Sequence, residues 1–455
     1  MKIKLLMPGF AAAILFPALA QAQFSGSISL VQDLRIRDRN VRFSDSRLDA
    51  LQMSAAIEDD SNALDLNSWG DNRAWLAKES SKTLKAEGSY FNGQEKSTGG
   101  TGNHNIASYT EFQSGVHTQL KSFELEAADT AERDKFAPSY MNETWLSKSP
   151  SGGAGYGCTV GRIMLGLHAS LNSYKETDTD NSSGAATYKY ADRQHAAGGA
   201  IAYKTDIGPA GVAFGGTADY VDRGYSSSMG SSSYERPSAG MQYGAQLVAS
   251  FGNLLKLGLR GSAAKLRGDW TSPSSAYGYK TGPKEFGARV VLALGALTIG
   301  AETANKTEES RDDSAGSSYI NILRTNRALA GGAALRLFGG RVLIGAEAGN
   351  SKWEYTDHNS GSPSNTTQDS FAGGVEVLPS ARLAIRASAR HLNSRYGFSS
   401  YKYTDDVFAL GGGLHLTDNT ALDLTVRRII SKSLSSTAPS EMNGLSGKVE
   451  MIMKF

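Results

Sequence analysis

The chain has 455 residues, and its 47 basic and 45 acidic side chains give a formal net charge of only +2. This balance excludes a global attraction to nucleic acid or to acidic surfaces. Cys158 is the single cysteine, so disulfides within the chain do not stabilise it, and we expect this thiol to be buried and inert.

The first 22 residues have the pattern of a secretory signal peptide. A basic start is followed by an apolar, alanine-rich run, and Ala20 and Ala22 supply the small residues that precede a cleavage site. A membrane anchor is the alternative, but the run is short and two prolines interrupt it. We therefore predict that the protein is exported and that residues 1–22 are removed.

Residues 23–82 form a separate N-terminal segment. Apolar and charged residues alternate over 24–36 and 47–57, which suggests a first β-hairpin. The alternation fails over 58–82, which is acidic and then contains two tryptophans. A helix, a plug and a long turn all fit that stretch.

Residues 83–455 repeat an alternation with a period of two, in which one face of each stretch is apolar and the other is polar. Leu255, Leu257 and Leu259, for example, alternate with Lys256 and Arg260. Side chains of a β-strand point alternately to opposite faces, so the pattern predicts a strand-rich domain. Lipid on one face and water on the other would explain why arginines keep to one phase, because an arginine facing lipid costs about 2–4 kcal/mol.

The connections between these predicted strands are asymmetric. From residue 195 onward, turns of two or three residues alternate with long polar stretches. We predict long loops near 222–238, 268–283, 306–325, 354–367, 396–404 and 432–442. Short periplasmic turns and long extracellular loops are typical of membrane barrels. The predicted fold is an all-β, transmembrane, antiparallel up-and-down β-barrel of about 18 strands, within a range of 16–20.

The last strand ends on an aromatic residue. Leu445, Val449, Met451 and Phe455 share one face of this strand, and the chain ends at Phe455. The sequence here resembles the outer-membrane porins of Gram-negative bacteria, in which a terminal phenylalanine is the signal for the barrel-assembly machinery. The resemblance implies the cell outer membrane as location, contact with its lipid and lipopolysaccharide, and a homotrimer.

A second resemblance to porins covers residues 142–162, where a strand, a glycine-rich turn and a second strand end in Gly161-Arg162. In porins the following loop folds into the barrel and forms the constriction. The corresponding loop here is near 163–187. The pore-constriction candidates are Arg162, Lys175, Glu176, Asp178 and Asp180.

The polar faces of the strands carry charges that we expect to line the lumen, with a basic excess that favours anions. The candidates are Lys256, Arg260, Arg289, Arg336, Arg382, Arg386, Arg390 and Arg427. Many inward positions hold small residues instead, such as Gly198, Gly374 and Gly413. These leave room for a wide lumen, for an inserted loop or for an N-terminal plug, and the sequence does not choose among the three.

The function predicted from these features is passive diffusion of small hydrophilic solutes and ions through a water-filled channel. The alternatives are a substrate-specific channel, and a structural or adhesive barrel or a sheath around a partner protein. The histidines are scattered and no catalytic or metal-ligand spacing was found. We therefore expect no enzyme activity, no metal, no cofactor and no nucleic-acid partner.

Overall fold

The computed structural model describes residues 51, 73–78, 82–98, 104–137, 143–181, 183–229, 232–272, 275–312, 321–358, 362–397, 402–433 and 440–455. The predicted signal peptide lies outside these ranges, as does the predicted first hairpin except for Leu51. A short 3-10 helix, Arg73–Lys78, precedes the strands. None of the described residues belongs to a helix that is long and apolar enough to cross a bilayer.

Nineteen strands follow within the described ranges. They are β1 (Lys82–Thr98), β2 (His104–Leu120), β3 (Phe123–Ala137), β4 (Glu143–Lys148), β5 (Ser151–Val160), β6 (Ile163–Asp180), β7 (Ala186–Ile207), β8 (Ala210–Met229), β9 (Ser232–Phe251), β10 (Leu255–Ser272), β11 (Ser275–Leu294), β12 (Leu297–Asp312), β13 (Asn321–Leu337), β14 (Val342–Asp357), β15 (Ser362–Ser380), β16 (Leu383–Tyr396), β17 (Lys402–Thr417), β18 (Thr420–Ser433) and β19 (Ser440–Lys454).

The strands form one closed antiparallel barrel. Each strand pairs with its neighbours in sequence, and β1 pairs with β19 over Thr83↔Lys454 to Ser97↔Ser440, so the sheet has no edge. β4 and β5 both lie between β3 and β6 in one continuous register. They are halves of one strand that Pro150, which has no N–H to donate, interrupts. The barrel therefore has eighteen strands, and the prediction from sequence is confirmed.

The connections confirm the predicted short turns but correct the predicted long loops. One end of the barrel has tight turns such as Gly208–Pro209 and Gly295–Ala296, where both glycines have the positive φ that favours this residue. At the other end, β8 continues to Met229 and β9 begins at Ser232, within the predicted loop 222–238. The strands thus extend into the predicted loops. Their backbone hydrogen bonds continue past the point where the outward side chains stop being apolar.

A belt of apolar side chains surrounds the half of the barrel next to the tight turns. Outward positions in this lipid belt hold Leu, Ile, Val, Ala and Phe, many of them exposed. Aromatic side chains mark its upper limit: Tyr90, Phe112, Tyr220, Tyr243, Phe286, Phe371 and Phe408. Beyond them most outward positions are polar, with exceptions such as Leu146 and Met229. A closed barrel with such a belt and girdle lies in the outer membrane, with the tight turns in the periplasm.

Cys158 lies within the lipid belt and is exposed on the outward face of β5. The expectation of a buried thiol was wrong. The residue has the same phase as Tyr156 and Val160, which also face outward. Burial in this barrel means pointing toward the lumen, and the alternation of β5 places Cys158 on the opposite side.

Leu259 occupies the middle of the lipid belt on β10 and points outward. Leu259→Arg should lower the free energy of unfolding in phospholipid vesicles by about 2–4 kcal/mol, because the guanidinium would face hydrocarbon. Urea titration measures this effect. Thr271→Arg, on the same face of β10 but beyond the belt, is the control and should change stability by less than about 0.5 kcal/mol. Equal losses in both variants would contradict this position of the belt.

Candidate functional site

The lumen carries a layer of buried charges at the level of the lipid belt. Of the arginines predicted to line it, Arg260, Arg289, Arg386, Arg390 and Arg427 are buried on the inward face of their strands. Lys256 and Arg336 also lie on the inward phase and are half-buried, and the Nη1 of Arg336 donates to the Oγ1 of Thr298 at 2.9 Å.

Arg382 was predicted to line the lumen but lies in the exposed turn between β15 and β16. Its guanidinium is 4.0 Å from the carboxylate of Asp418 in the neighbouring turn, and both side chains are exposed to solvent. Arg382 is separated from Arg386 and Arg390 by an even number of positions, so the alternation predicted the same face for all three. The strand begins only at Leu383, however, so this phase gives no inward direction to Arg382.

Carboxylates compensate several of the inward cations. The Nη2 of Arg260 lies 2.8 Å from Glu285, and Arg289 lies 3.6 Å from Glu302. Buried charges are stable when they are paired, because an unpaired ion loses its hydration without replacement. This pairing reduces the basic excess from which the sequence analysis expected anion preference.

Two close contacts between polar side chains each span an intervening strand, and a glycine makes this possible. His168 on β6 and Asp219 on β8 approach to 3.0 Å across Gly198 of β7, and neither side chain is more than 3% exposed. A Cβ at Gly198 would lie 2.0 Å from the Asp219 carboxylate. Glycine therefore provides the space in which the two side chains meet.

Arg386 on β16 repeats this arrangement with two carboxylates. Its Nε donates to Glu376 on β15 at 2.7 Å, and its Nη1 donates to Asp423 on β18 across β17. A Cβ at Gly413 would lie 2.7 Å from the carboxylate of Asp423 and 3.0 Å from the guanidinium. This glycine again occupies the crossing point.

The seam that closes the barrel has its own buried charge cluster. Glu87 of β1 lies directly opposite Glu450 of β19. Without nearby cations, these two like charges would destabilise the pairing of the two strands. The ammonium group of Lys448 lies 3.1 Å from Glu87 and 3.6 Å from Glu450, and Lys85 lies 3.2 Å from Glu450. The two lysines thus hold the first and last strands together.

The predicted inward-folded loop at 163–187 is wrong. Residues 163–180 form β6, which is paired with β4 and β5 on one side and with β7 on the other. Backbone groups committed to two neighbouring strands keep this segment in the wall. The residues between β6 and β7 are only 181–185.

The constriction candidates are consequently dispersed. Arg162 is exposed in the periplasmic turn, and Lys175 points outward. Glu176 and Asp178 point into the lumen near the extracellular end of β6, where the Tyr174 hydroxyl donates to Glu176. Asp180 ends the strand and accepts a hydrogen bond from the backbone N–H of Ser183 at 3.4 Å.

The described parts of the N-terminal segment lie inside the lumen. Ala74 and Leu76 of the 3-10 helix are fully buried, and the helix contacts β5, β6 and β7 near their periplasmic ends. Ala74 belongs to a cluster that includes Met164 and Ala202. A Cβ at Gly157 would lie 2.3 Å from the backbone nitrogen of Ala77. Small wall residues thus accommodate the helix.

Leu51 is 0% exposed and its carbonyl oxygen lies 3.0 Å from the position that a Cβ on Gly374 of β15 would occupy. β15 and β6 are on opposite sides of an eighteen-strand barrel. The N-terminal segment therefore contacts two opposite walls of the lumen. Of the three uses that the sequence left open for the small residues, the described contacts support an N-terminal plug.

Two clusters of aromatic and apolar side chains lie in the extracellular half of the lumen, among buried polar residues such as Gln194 and Ser238. One cluster combines Tyr109, Ile429 and Met442 with Phe91, Trp145 and Val407. Another consists of Tyr174, Tyr190 and Tyr225, whose rings meet edge to face at centroid distances of 5.6 and 5.1 Å. We call these two clusters the vestibule. Sequence reasoning missed the vestibule, although the inward phase of Tyr188-Lys-Tyr190 was a usable signal.

Arginines accompany the aromatic rings at this level. The guanidinium of Arg236 lies 4.5 Å from the centroid of Tyr279, and that of Arg324 lies 5.9 Å from the centroid of Tyr355. Desolvation alone would raise the pKa of Glu308 nearby. Positive charges of Arg324, Arg223 and Lys306 and a hydrogen bond from Thr281 instead hold the pKa of this carboxyl below its usual value of 4.5.

One group among the described residues has the geometry to hold a metal ion. The ligand atoms of His117, Glu124 and Glu126 lie within 4.8 Å of one another on the inward face of β2 and β3. His117 Nε2 is already 3.0 Å from Glu124, so a hydrogen bond occupies this position. Sequence reasoning missed this group, because His117 belongs to β2 and the two glutamates to β3, and only strand pairing brings them together.

Comparisons with known proteins give a fold and no family. No protein-family model and no curated protein sequence matches the chain. Similar solved structures include the alcaligin outer membrane receptor FauA from Bordetella pertussis, with 11% identity, a TM-score of 0.41 and coverage of 81% of this chain and 75% of that one. A Pseudomonas aeruginosa FadL homologue has 10% identity, a TM-score of 0.37 and coverage of 91% and 99%.

The ferric-catecholate import receptor Fiu from E. coli K12 has 7% identity, a TM-score of 0.45 and coverage of 83% and 82%. Identities near one tenth and TM-scores below 0.5 leave the function to be inferred from the chain's own residues. Its closed sheet, lipid belt and polar lumen define an outer-membrane β-barrel.

Gly413→Ala should separate Arg386 from Asp423, because the added methyl group would occupy the space between them. We expect a loss of about 1–3 kcal/mol in the free energy of unfolding, as is usual for overpacking. Urea titration in vesicles measures it. Gly447→Ala is the matched control, since a Cβ there meets nothing within 4 Å. Unchanged stability in Gly413→Ala would refute the crossing arrangement.

The charge of Glu308 should make the free energy of unfolding depend on pH. Its folded-state pKa lies below 4.5, so its stabilising charge is present above that value and is lost as the pH falls through the folded-state pKa. Glu308→Gln should therefore be less stable at neutral pH, by about 1–3 kcal/mol, and should show a shallower loss of stability below pH 4.5. Unfolding curves between pH 7 and pH 3 test this, with exposed Glu309→Gln as control.

Proposed function

We propose that this protein is a substrate-selective channel of the outer membrane, in which the N-terminal segment closes the lumen until a solute or a partner displaces it. The observation that carries the proposal is the full burial of Ala74 and Leu76 inside the barrel, near its periplasmic end. An open diffusion pore would leave wall residues at this level in contact with water. The general porin function expected from sequence fits this arrangement less well.

The vestibule supports a class of substrate. Its inward aromatic and apolar side chains, among them Tyr109, Trp145 and Tyr190, would lower the free energy of a solute that has a planar apolar part. The arginines at Tyr279 and Tyr355 would attract a carboxylate or another anionic group. We therefore propose small aromatic or unsaturated carboxylates as substrates rather than sugars or simple ions.

The paired charges deeper in the lumen would act as a selectivity layer. Arg386 already binds two carboxylates, so a passing anion competes for its guanidinium rather than finding a free one. Such competition gives transient binding sites along the path, which a channel needs for both entry and release. Saturable flux would follow from this, in contrast to a diffusion pore.

Replacement of a buried residue of the 3-10 helix tests the gate. Leu76→Asp should expel the helix from the lumen, because a carboxylate would otherwise lose its hydration without a partner. In planar bilayers we expect small, brief conductance steps for the unaltered protein and large, long-lived steps for Leu76→Asp. Lys78→Asp, at an exposed position of the same helix, is the control and should behave like the unaltered protein. Large steady steps in all three would refute the gate.

Substrate class is tested by solute block in the Leu76→Asp channel. Benzoate should reduce its conductance in a saturable manner, whereas acetate, which lacks the ring, should do so only weakly. Adding Tyr190→Ala to this channel should weaken benzoate binding by about 1 kcal/mol, or roughly fivefold, through loss of an aromatic contact. Block by benzoate and acetate at equal concentrations would contradict the proposed substrate class without affecting the gate.

A further inference from the structure

The three side chains with metal-ligand geometry on β2 and β3 form a compact group. His117 lies directly opposite Glu126 in the register of the two strands, and Glu124 is two residues before Glu126 on the same inward face. Side chains two residues apart on a strand share a face, and the Cβ atoms of directly opposite residues are only about 4.5–5.5 Å apart. One ring nitrogen and one oxygen from each carboxylate thus come within 4.8 Å of one another.

Little movement would bring these three atoms onto one ion. The ligands of a tetrahedral zinc ion, each about 2.1 Å from the metal, are about 3.4 Å apart. The Nε2 of His117 and the Oε1 of Glu124 are already 3.0 Å apart, because they share a hydrogen bond. A metal ion would replace the proton of this bond, since imidazole and carboxylate bind metals in their deprotonated forms.

The neighbouring strand leaves room for the two carboxylates. Gly153 of β5 lies directly opposite Glu126, and a Cβ on this glycine would be 2.8 Å from the Oε1 of Glu126. Gly155 is the partner of Glu124 in the same register. Because both partners on β5 are glycines, the carboxylates and a bound ion have space on this side of the group.

The charges of the group match a divalent cation. Glu124 and Glu126 are 7% and 8% exposed, and buried carboxylates are stable when they are paired or coordinate a metal. With a neutral imidazole the three ligands carry two negative charges, which one divalent ion would neutralise. Lys85 of β1 lies opposite His117, but its ammonium group is 3.2 Å from Glu450 on the far side of β1.

Gln119 adjoins the three ligands. It lies on the inward face of β2, directly opposite Glu124. Its Nε2 is buried and has no hydrogen-bond partner among the described residues. Three protein ligands leave one tetrahedral position for a water molecule, and such a water would accept a hydrogen bond from this amide. The side chain of His117 is 22% exposed, which gives an ion access from the lumen.

We propose that His117, Glu124 and Glu126 bind a divalent metal ion, of which zinc is the best match. Imidazole suits zinc, whereas calcium and magnesium prefer oxygen ligands alone. We expected no metal from the sequence because its histidines are scattered, but this site needs only one of them. The ion would lie in the barrel wall near the periplasmic end, where β3 begins at Phe123. The site uses wall residues only and is independent of the proposed gate and substrate.

Zinc binding to the protein without a histidine tag tests the proposal. The protein in dodecylmaltoside micelles is stripped of metal with EDTA and titrated with zinc chloride in a calorimeter. We expect one zinc ion per chain in the unaltered protein and at least about tenfold weaker binding in Glu126→Gln.

His391→Asn is the matched control and should bind zinc like the unaltered protein. His391 also lies 2.8 Å from a carboxylate, that of Asp406, but belongs to no group of three ligands among the described residues.

Two further measurements make the outcome decisive. Glu124→Gln should weaken zinc binding as Glu126→Gln does, so a folding defect in one variant leaves the other to be measured. Cobalt(II) should show the intense visible absorption of tetrahedral coordination in the unaltered protein and lose it in both variants. Calcium at the same concentration should not displace zinc.

Equal zinc affinity in the His391→Asn control and in both glutamine variants would overturn the proposal. Displacement of zinc by calcium would do the same, as would the lack of a stoichiometric zinc site in the unaltered protein.

Discussion

Closure of the sheet is the constraint on which the rest of this structure depends. β1 and β19 pair along their whole length, so every strand has two hydrogen-bonded neighbours. Hydrocarbon offers no partner to a free N–H or C=O group, so an open edge would be costly there. Once the sheet is closed, the period of two assigns each residue either to lipid or to the lumen. The clustered charges of Lys85, Glu87, Lys448 and Glu450 lie at this joint, where the first and last strands pair.

Inside the barrel, small residues determine what large ones can reach. Gly198 and Gly413 let His168 and Arg386 extend over a neighbouring strand to a carboxylate on the strand after it. Near the periplasm Gly157, Ala200 and Ala202 provide room for the 3-10 helix instead. A small wall residue therefore leaves space that either a long polar side chain or the 3-10 helix occupies, depending on which of the two is its neighbour. The lumen thus holds the 3-10 helix near its periplasmic end, paired charges in its middle and aromatic clusters in its extracellular half.

The aromatic residues change sides at the upper limit of the lipid belt. Tyr220, Tyr243 and Phe286 point outward at the girdle, whereas Tyr174, Tyr190 and Trp145 point inward beyond it. Outside the bilayer an outward apolar ring would face water, so the interior becomes the favourable place for it. In the extracellular half this reversal places clusters of aromatic side chains inside the barrel, among buried polar residues such as Gln194 and Ser238.

The alternation of residues by itself determined the sides of Arg260, Arg289 and Arg386, because face is a local property with a period of two. Together with the spacing of turns and loops, it predicted a barrel of about 18 strands, within a range of 16–20. The alternation misplaced the loops around 222–238, since beyond the belt the apolar phase reverses and a strand resembles a polar loop. The constriction at 163–187 was expected from the resemblance to porins, and β6 occupies that segment instead. Partners such as Glu285 for Arg260 and Asp219 for His168 required the tertiary structure, because each pair depends on register between strands rather than on sequence neighbours. The tertiary structure was also needed to place Leu51 and Leu76 inside the lumen, because their burial depends on the space between the walls of the closed barrel.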